Sequence, residues 1–319
     1  MAGGLFGGGT GILSDPWLVE DALDVNAIRT KASSSYFKLT NNIDMSTDYP
    51  TTWVPLIHSG GVTLFASYID GANYTISNLR GPLVDVLQVR CLNLKLHVII
   101  NEPTYSGNGC GALCRDSTCS FLDVLTNCHA SGSIISSAKF VGGLIGRVSY
   151  STYTTKVLQI CSSSASITGT YKLTSTSDVA GVGGLIGGAS RETSSYGDFS
   201  CNIYDCLCTG TVTSASAAGG IIGNHNYTIA SDRRGYMTIQ RCIATGNLVG
   251  LASVGGIVGK YNNNSNGNLE IKYCLALMAS ITRVSGVDIF FGRIYGNNAT
   301  GATLTLTGNR SLDTMVFIP

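Results

Sequence analysis

The sequence predicts an all-β protein of the parallel β-helix class, in which each lap of the chain stacks on the one before it. Three observations support this: a six-residue string that recurs, a column of cysteines in a fixed local frame, and an unusual glycine-to-proline ratio. The 319 residues include 40 glycines and only 6 prolines. Many glycines with little proline are typical of short strands joined by tight corners. We therefore expect stacked rungs of about 33–40 residues.

The recurring string carries a glycine pair. It is VGGLIG at 141–146 and 182–187, AGGIIG at 218–223 and VGGIVG at 254–259, with weaker copies GCGALC at 109–114 and VDIFFG at 287–292. A glycine pair lets the backbone turn, or approach a neighbour, without a Cβ clash. In the weaker copies, Cys110 and Cys114 are expected to replace outer glycines, and the last copy has lost its pair. The repeat glycines are Gly142, Gly143, Gly183, Gly184, Gly219, Gly220, Gly255 and Gly256.

A column of cysteines lies between these strings. An aliphatic residue stands three positions before nearly every one, and small and aliphatic residues follow at even spacing. A period of two predicts a strand whose inward face holds these side chains. Stacked strands separate equivalent residues by about 4.8 Å, whereas a disulfide needs Cβ atoms about 3.8 Å apart. We therefore expect a core ladder of buried free thiols at Cys91, Cys128, Cys161, Cys206, Cys242 and Cys274.

The cysteines outside this column are the better candidates for disulfide bonds, either local or between subunits. With 11 cysteines, at least one has no partner within the chain. The disulfide candidates are Cys110, Cys114, Cys119, Cys201 and Cys208.

Polar segments of unequal length follow each recurring string. Because they leave each rung at the same point, we expect them to line up on one face and form a binding surface. The candidate binding residues on these segments are Tyr150, Tyr153, Arg191, Tyr196, His225, Tyr227, Arg233, Arg234 and Tyr261.

Composition argues against several partners. The net charge is +1 and charged residues make up 12%, so no basic footprint for nucleic acid is present. No apolar run approaches the ~18 residues of a membrane span, so no membrane insertion is expected. The cysteines near 110–128 and His129 lack the spacing of a zinc site. We expect no metal and no cofactor.

The acidic residues do not predict a catalytic pair. Glycan-cleaving β-helices need two acids about 5–10 Å apart, whereas the 19 acids here are spread thinly. Asp44 and Asp70 lie at strand ends, where a turn-stabilising role is expected. The sequence therefore predicts a protein that is not an enzyme.

Three regions follow from the repeats. Residues 1–90 form a leader with the first coils, 91–308 form the repeats, and 309–319 form a C-terminal tail. The apolar end of the tail either docks on another subunit or folds back over the last rung.

The recurring strings alternate with segments such as CIATGNLVG and CLCTGTVTS, and this order resembles the GLUG-motif repeats of bacterial and phage surface proteins. The leader, with GGGTGILSDPWLVEDALDVNAI and IDGANYTISNL, resembles the segment that often precedes such repeats. The resemblance covers about residues 5–308. It implies a right-handed β-helix on a virion or cell surface, often adhesive, and supplies no catalytic residues.

The expected function is a non-enzymatic structural protein of a phage virion, as a tail-associated fibre or receptor-binding component. The chain start lacks a signal peptide, which favours a virion assembled in the host cytoplasm over a bacterial envelope. Its expected partners are other virion proteins, copies of itself, and a host-surface glycan or protein. The alternatives are a capsid decoration or collar protein, an exported bacterial adhesin on the cell surface, and a polysaccharide depolymerase. Three or more acids converging in a groove would mark the depolymerase.

Overall fold

The computed structural model describes residues 5–57, 64–88, 90–119, 123–150, 154–172, 180–191, 199–227, 235–263, 267–284, 291–298 and 303–318. Over these residues the chain is a parallel β-solenoid of about six rungs, each of about 35 residues, which confirms the predicted fold class. Four parallel sheets run along the stack. Within each full rung the chain passes through sheets I, II, III and IV in that order.

Sheets I and II are the two largest. Ten described strands form sheet I: Trp17–Val19, Tyr36–Leu39, Tyr68–Asp70, Cys91–Leu92, Asp123–Thr126, Thr154–Gln159, Phe199–Tyr204, Gly235–Gln240, Gly267–Lys272 and Thr303–Thr307. Fourteen described strands form sheet II: Ile43–Asp44, Thr75–Leu79, Lys95–Glu102, His129–Ser136, Ser162–Ser163, Ser166–Gly169, Leu207–Cys208, Val212–Ser214, Ile243–Ala244, Leu248–Gly250, Leu275–Ala276, Ser280–Arg283, Arg310–Ser311 and Val316–Ile318.

Sheets III and IV contain the recurring glycine string. Six described strands form sheet III: Gly109–Gly111, Phe140–Gly142, Gly181–Gly183, Ala217–Gly219, Val254–Gly255 and Phe291–Gly292. Eight described strands form sheet IV: Leu64–Phe65, Val84–Leu87, Cys114–Cys119, Ile145–Tyr150, Ile186–Arg191, Ile222–Tyr227, Val258–Asn263 and Tyr295–Asn298.

Side chains of one type stack along the solenoid interior. Leu125, Leu158, Ile203, Ile239 and Ile271 form one apolar column of sheet I, and all are buried. The column of Cys128, Cys161, Cys206, Cys242 and Cys274 lies at the corner between sheets I and II and is also buried. Each of these thiols donates to a carbonyl oxygen of the preceding rung, as from Cys161 Sγ to Leu125 O at 3.5 Å. A buried S–H therefore keeps an acceptor, and the column behaves as a small apolar core element.

The residue before each column cysteine has a left-handed backbone conformation, which forms the corner between sheets I and II. Asn127 has φ +55°, and its equivalents on neighbouring rungs have nearly the same value. Single residues in this conformation let a strand bend sharply, at a steric cost that asparagine tolerates better than most. The full column is Asn93, Asn127, Ile160, Asp205, Arg241, Tyr273 and Gly308.

The glycine pairs allow sheets III and IV to lie in direct backbone contact. A Cβ on Gly183 would overlap the carbonyl oxygen of Ile186 in the same rung. A Cβ on Gly184 would overlap the carbonyl oxygen of Gly220 in the next rung. Both glycines are therefore required for the close approach of two backbone segments of this chain.

The N-terminal end of the stack has a helical segment that the sequence pattern did not predict. The α-helix Ala22–Ala27 is followed by a 3₁₀ helix at Ile28–Thr30. Asp21 caps the α-helix by accepting from Asp24 N at 2.9 Å. The Asp24 carboxylate accepts from Phe6 N at 2.6 Å, which ties the chain start to the helix. At the other end, the tail continues the stack, because Val316–Ile318 pairs in parallel with Ser280–Arg283 as a further strand of sheet II. Met315 is buried, whereas Val316, Phe317 and Ile318 are exposed.

Three alignments made from the sequence are corrected by the strand register. Cys91 pairs with Leu125 and lies in the aliphatic column of sheet I. Leu94 takes the cysteine position in that rung, since its carbonyl accepts from His129 N as those of the column cysteines do in later rungs. The sequence suggested cysteine here because CLNLKLHV alternates in the same way as a true copy.

The flanking copies of the glycine string are each shifted. Cys110 pairs with Val141 and Cys114 with Ile145, so both cysteines replace apolar core residues instead of glycines. The last copy is FGRIYG at 291–296, because Phe291 pairs with Val254. This copy retains the first glycine of the pair as Gly292, which the alignment at 287–292 did not recognise.

Candidate functional site

Four of the five predicted disulfide candidates lie inside the solenoid. Cys110, Cys114, Cys201 and Cys208 are all buried, and the side chain of Cys119 lies outside the described residues. Cys110 and Cys208 carry free thiols, so the prediction of a disulfide bond is wrong for these two residues. Burial raises the pKa of Cys110 to about 12 and also raises the pKa of Cys208.

Two of the predicted binding residues are core residues. His225 and Tyr261 pair in adjacent strands of sheet IV, both are buried, and their rings stack with centroids 4.9 Å apart. This corrects their assignment to an exposed surface. The sequence misled because sheet IV continues beyond the glycine string before the polar segment begins, so these residues belong to strands.

The other binding candidates belong to connections whose attachment points are stacked. Tyr150 and Arg191 are paired strand ends, and Tyr227 ends the next strand of sheet IV. On the far side, sheet I resumes at Thr154, Phe199, Gly235 and Gly267 in register. The connections themselves, with Tyr153, Tyr196, Arg233 and Arg234, lie outside the described residues.

Two carboxylates, one from sheet II and one from sheet IV, share the guanidinium of Arg115, and a third is bound by Arg147. Arg115 binds both oxygens of Glu102, at 2.8 and 2.7 Å, and approaches Asp85 at 3.5 Å. Arg147 binds Asp116. Burial raises the pKa of Asp85 above its ordinary value. Because the guanidinium groups hold these carboxylates, the cluster bonds two sheets together, as expected for partly buried ion pairs.

The interior also contains a lysine that the sequence did not single out. Lys156 is buried, and its Nζ donates to both the carbonyl and the hydroxyl oxygen of Ser117 at 2.6 Å. It links sheet I to sheet IV across the core. No composition or spacing signal marks it, since its neighbours in sheet I alternate normally.

A line of polar side chains runs from the corner between sheets I and II onto the outer face of sheet II, a set we call the relay: Asp70, Asn93, Asn127, His129 and Ser162. Asn93 Nδ2 donates to Asp70 Oδ1 at 3.1 Å, and Asn127 Nδ2 donates to Asn93 Oδ1 at 2.9 Å. His129 Nε2 lies 2.8 Å from Asn127 Oδ1, and His129 Nδ1 lies 2.7 Å from Ser162 Oγ. Five polar side chains from successive rungs are therefore connected in one line.

The rungs position the relay. Asn93 and Asn127 are left-handed corner residues, and their side chains stack because the corners stack. His129 pairs with Ser162 in the adjacent strands of sheet II, both half-buried. Asp70 also accepts from Ala72 N at 2.9 Å, so it stabilises a turn as the sequence indicated. Sequence spacing does not indicate this line, since the stacking of the rungs brings these residues together.

The described residues contain neither a metal-binding cluster nor a membrane-spanning helix. No group of three or more His, Cys, Asp or Glu side chains there is placed to hold a metal ion. No helix in that part of the chain is both long and apolar enough to cross a membrane.

Two solved structures share the fold. A Bacteroides ovatus protein provisionally named as an immunoglobulin A1 protease aligns at 19% identity and a TM-score of 0.51, over 99% of this chain and 80% of its own. A second structure, named IgA1 protease, aligns at 21% identity and a TM-score of 0.65, over 92% of this chain. The chain spans only 21% of that second protein. At such identities the likeness establishes the fold alone.

These neighbours correct one expectation. The sequence predicted a protein that is not an enzyme, whereas both neighbours carry the names of proteases. The prediction of a non-enzymatic role, which was based on the lack of paired acids, is therefore wrong. No family model matches the sequence and no curated protein matches it, so the GLUG-motif resemblance stays a prediction.

Proposed function

We propose that the chain is a rigid β-solenoid module of a surface-exposed protein, and that it presents one edge of the stack to a binding partner. The observation that carries this proposal is the register of sheets IV and I. Strand ends such as Tyr150 and Arg191 pair directly, so the polar connections after them leave the stack at one edge. A rigid scaffold with variable connections on one edge is a common basis for recognition.

The setting of this module is a phage virion or a bacterial cell surface. Placement on a phage tail, in a collar or on a capsid rests on the GLUG-like strings and stays a prediction. The low charge and the polar connections suit recognition of a neutral glycan or protein surface better than recognition of a polyanion.

A second candidate is a segment of an immunoglobulin A1-cleaving protein. The observation that favours it is the shared fold with two proteins named as such proteases. In the second of these, the matched region is about a fifth of the protein. The same edge would then contact the immunoglobulin.

The test measures binding of the purified chain to a glycan array and to immobilised human IgA1. We expect binding to at least one probe, weakened by roughly tenfold in Arg233→Ser/Arg234→Ser, because losing one partner of a charged contact costs about 1.4 kcal/mol or more. Arg241→Ser, at an exposed corner between sheets I and II, serves as the control for loss of a surface arginine away from this edge.

The outcomes separate the candidates. Binding that survives replacement of 151–153, 192–198, 228–234 and 264–266 by glycine–serine segments would refute the presenting edge, as would no binding to any probe. Heavy-chain fragments of IgA1 on a gel would support the second candidate.

A further inference from the structure

We propose that Ser162 and His129 form a nucleophile–base pair that hydrolyses carboxylic esters with a short apolar acyl group. The remaining relay residues, Asp70, Asn93 and Asn127, are positioning residues that fix the histidine tautomer. The proposal concerns the outer face of sheet II and is independent of the presenting edge.

The direction of every hydrogen bond in the relay follows from Asp70. A carboxylate oxygen only accepts, so the Asn93 group facing it at 3.1 Å is the NH₂. Asn93 Oδ1 then faces Asn127 and accepts from its Nδ2 at 2.9 Å. Asn127 Nδ2 also donates to Asn73 Oδ1 at 3.0 Å, which fixes the same amide orientation.

This orientation determines the tautomer of His129. Asn127 Oδ1 faces the imidazole and can only accept, so Nε2 carries the proton. Nδ1 of the neutral ring is then an acceptor, and the hydroxyl of Ser162, 2.7 Å away, donates to it. A serine that donates to a neutral imidazole oriented by a third group is the arrangement of an activated nucleophile.

Burial keeps the imidazole neutral. It lowers the pKa of His129 below its ordinary value, and the Lys95 ammonium nearby also lowers it. The Nδ1 lone pair is therefore available at pH 7.

A second serine–histidine pair on the same face differs in one decisive contact. His97 Nδ1 lies 3.1 Å from Ser131 Oγ, but the Ser131 hydroxyl has the Leu96 carbonyl oxygen as an acceptor at 3.3 Å. The backbone carbonyl therefore competes with His97 for the Ser131 proton. Ser131 is the matched control for Ser162.

The substrate class follows from the next rungs. Ser162 pairs with Leu207, which is 40% exposed, and the column continues through Ile243 and Leu275. These side chains form an apolar strip that starts beside the hydroxyl. A short acyl chain would lie along this strip while its carbonyl carbon faces Ser162 Oγ.

The reaction is acyl transfer to serine followed by hydrolysis. Ser162 Oγ bonds to the carbonyl carbon as the ester C–O bond breaks, and the hydroxyl proton passes to His129 Nδ1 and on to the leaving alkoxide. Water then attacks the acyl-serine with loss of its proton to Nδ1. The carboxylic acid leaves and the Ser162 hydroxyl is restored.

The test uses p-nitrophenyl butyrate and a fluorophosphonate probe on the full chain. We expect mapped phosphonylation at Ser162, and a butyrate rate about a hundredfold lower in Ser162→Ala and His129→Gln than in Ser131→Ala. The wild-type rate should fall with acid, with a midpoint below the ordinary histidine value near 6.5, because only the neutral ring accepts the proton. Leu207→Ser should reduce the preference for butyrate over acetate.

Asp70→Asn tests the positioning role by shifting the pH midpoint while circular dichroism and the melting temperature report folding. Absence of label at Ser162 in the folded protein would overturn the proposal. So would equal butyrate rates in Ser162→Ala and Ser131→Ala, which would assign the hydrolysis to other surface groups.

Discussion

At the residue scale, one buried histidine shows how a titratable group in the solenoid interior affects stability. His225 lies in the interior column of sheet IV between Ala189 and Tyr261. Its ring stacks on Tyr261, and no part of it reaches solvent. Burial penalises the imidazolium, and it lowers the pKa of His225 to about 3.

This histidine makes the fold acid-sensitive. In the unfolded chain the pKa of this histidine is near 6.5. Between that pH and about pH 3, the unfolded state therefore binds a proton and the folded state does not. Stability is unaffected above about pH 6.5 and falls between there and pH 3, by about 2 kcal/mol at pH 5. We expect His225→Leu to reduce by about that amount the stability lost between pH 7 and pH 5 in guanidinium titrations.

His97→Leu, on the outer face of sheet II, is the control and should keep the wild-type acid loss. If His225→Leu lost as much stability as the wild type between these two pH values, the buried neutral state of His225 would be wrong.

The relay shows what residue-level patterns cannot supply. Asp44 and Asp70 could be assigned to turns because an aspartate at a strand end bonds the backbone two residues ahead. The link from Asp70 to Ser162 was not predictable, since it depends on side chains from several rungs meeting at one corner. His225 and Tyr261 were misassigned for a related reason: polarity suggested a loop, and only the register placed them inside.

At the element scale, the glycine pairs are steric requirements of the corner between sheets III and IV and of its stacking on the next rung. A Cβ on Gly220 would overlap the carbonyl oxygen of Gly256 in the next rung and crowd the side chain of Ala244. Backbone atoms cannot rotate away as a flexible side chain can. The pair therefore constrains two neighbouring rungs at once.

We expect Gly220→Ala to lower the free energy of unfolding by at least about 2 kcal/mol, because the neighbouring rung must shift. Asn202→Ala, on the outer face of sheet I, should change it by less than about 0.5 kcal/mol. Guanidinium titrations of the two variants and the wild type measure both values. A fully stable Gly220→Ala would contradict the close approach of the two backbones.

Strands were predictable where the repeat is regular. The strings at 141–146 and 218–223 mark sheets III and IV because the same spacing recurs, and the cysteines mark the entry to sheet II. The degenerate copies were misaligned, since Cys110 and Cys114 are apolar replacements that no longer mark the glycine positions. The helix at Ala22–Ala27 was missed because six residues carry too little periodicity.

At the scale of the whole molecule, each rung is held mainly by the rungs on either side of it. Parallel pairing runs unbroken through sheet I from Trp17–Val19 to Thr303–Thr307 in the described strands, so the leader and the repeats share one stack. This arrangement depends on identical registers from rung to rung. Both the presenting edge and the relay exist only if that register holds.

The register can be measured directly from the anomalous scattering of the native sulfur atoms in a crystal. We expect one row of sulfur peaks with successive peaks about 4.8 Å apart, from Cys128, Cys161, Cys206, Cys242 and Cys274. Peaks dispersed over separate regions of the molecule, without such a row, would contradict the stacked fold and the sites built on it.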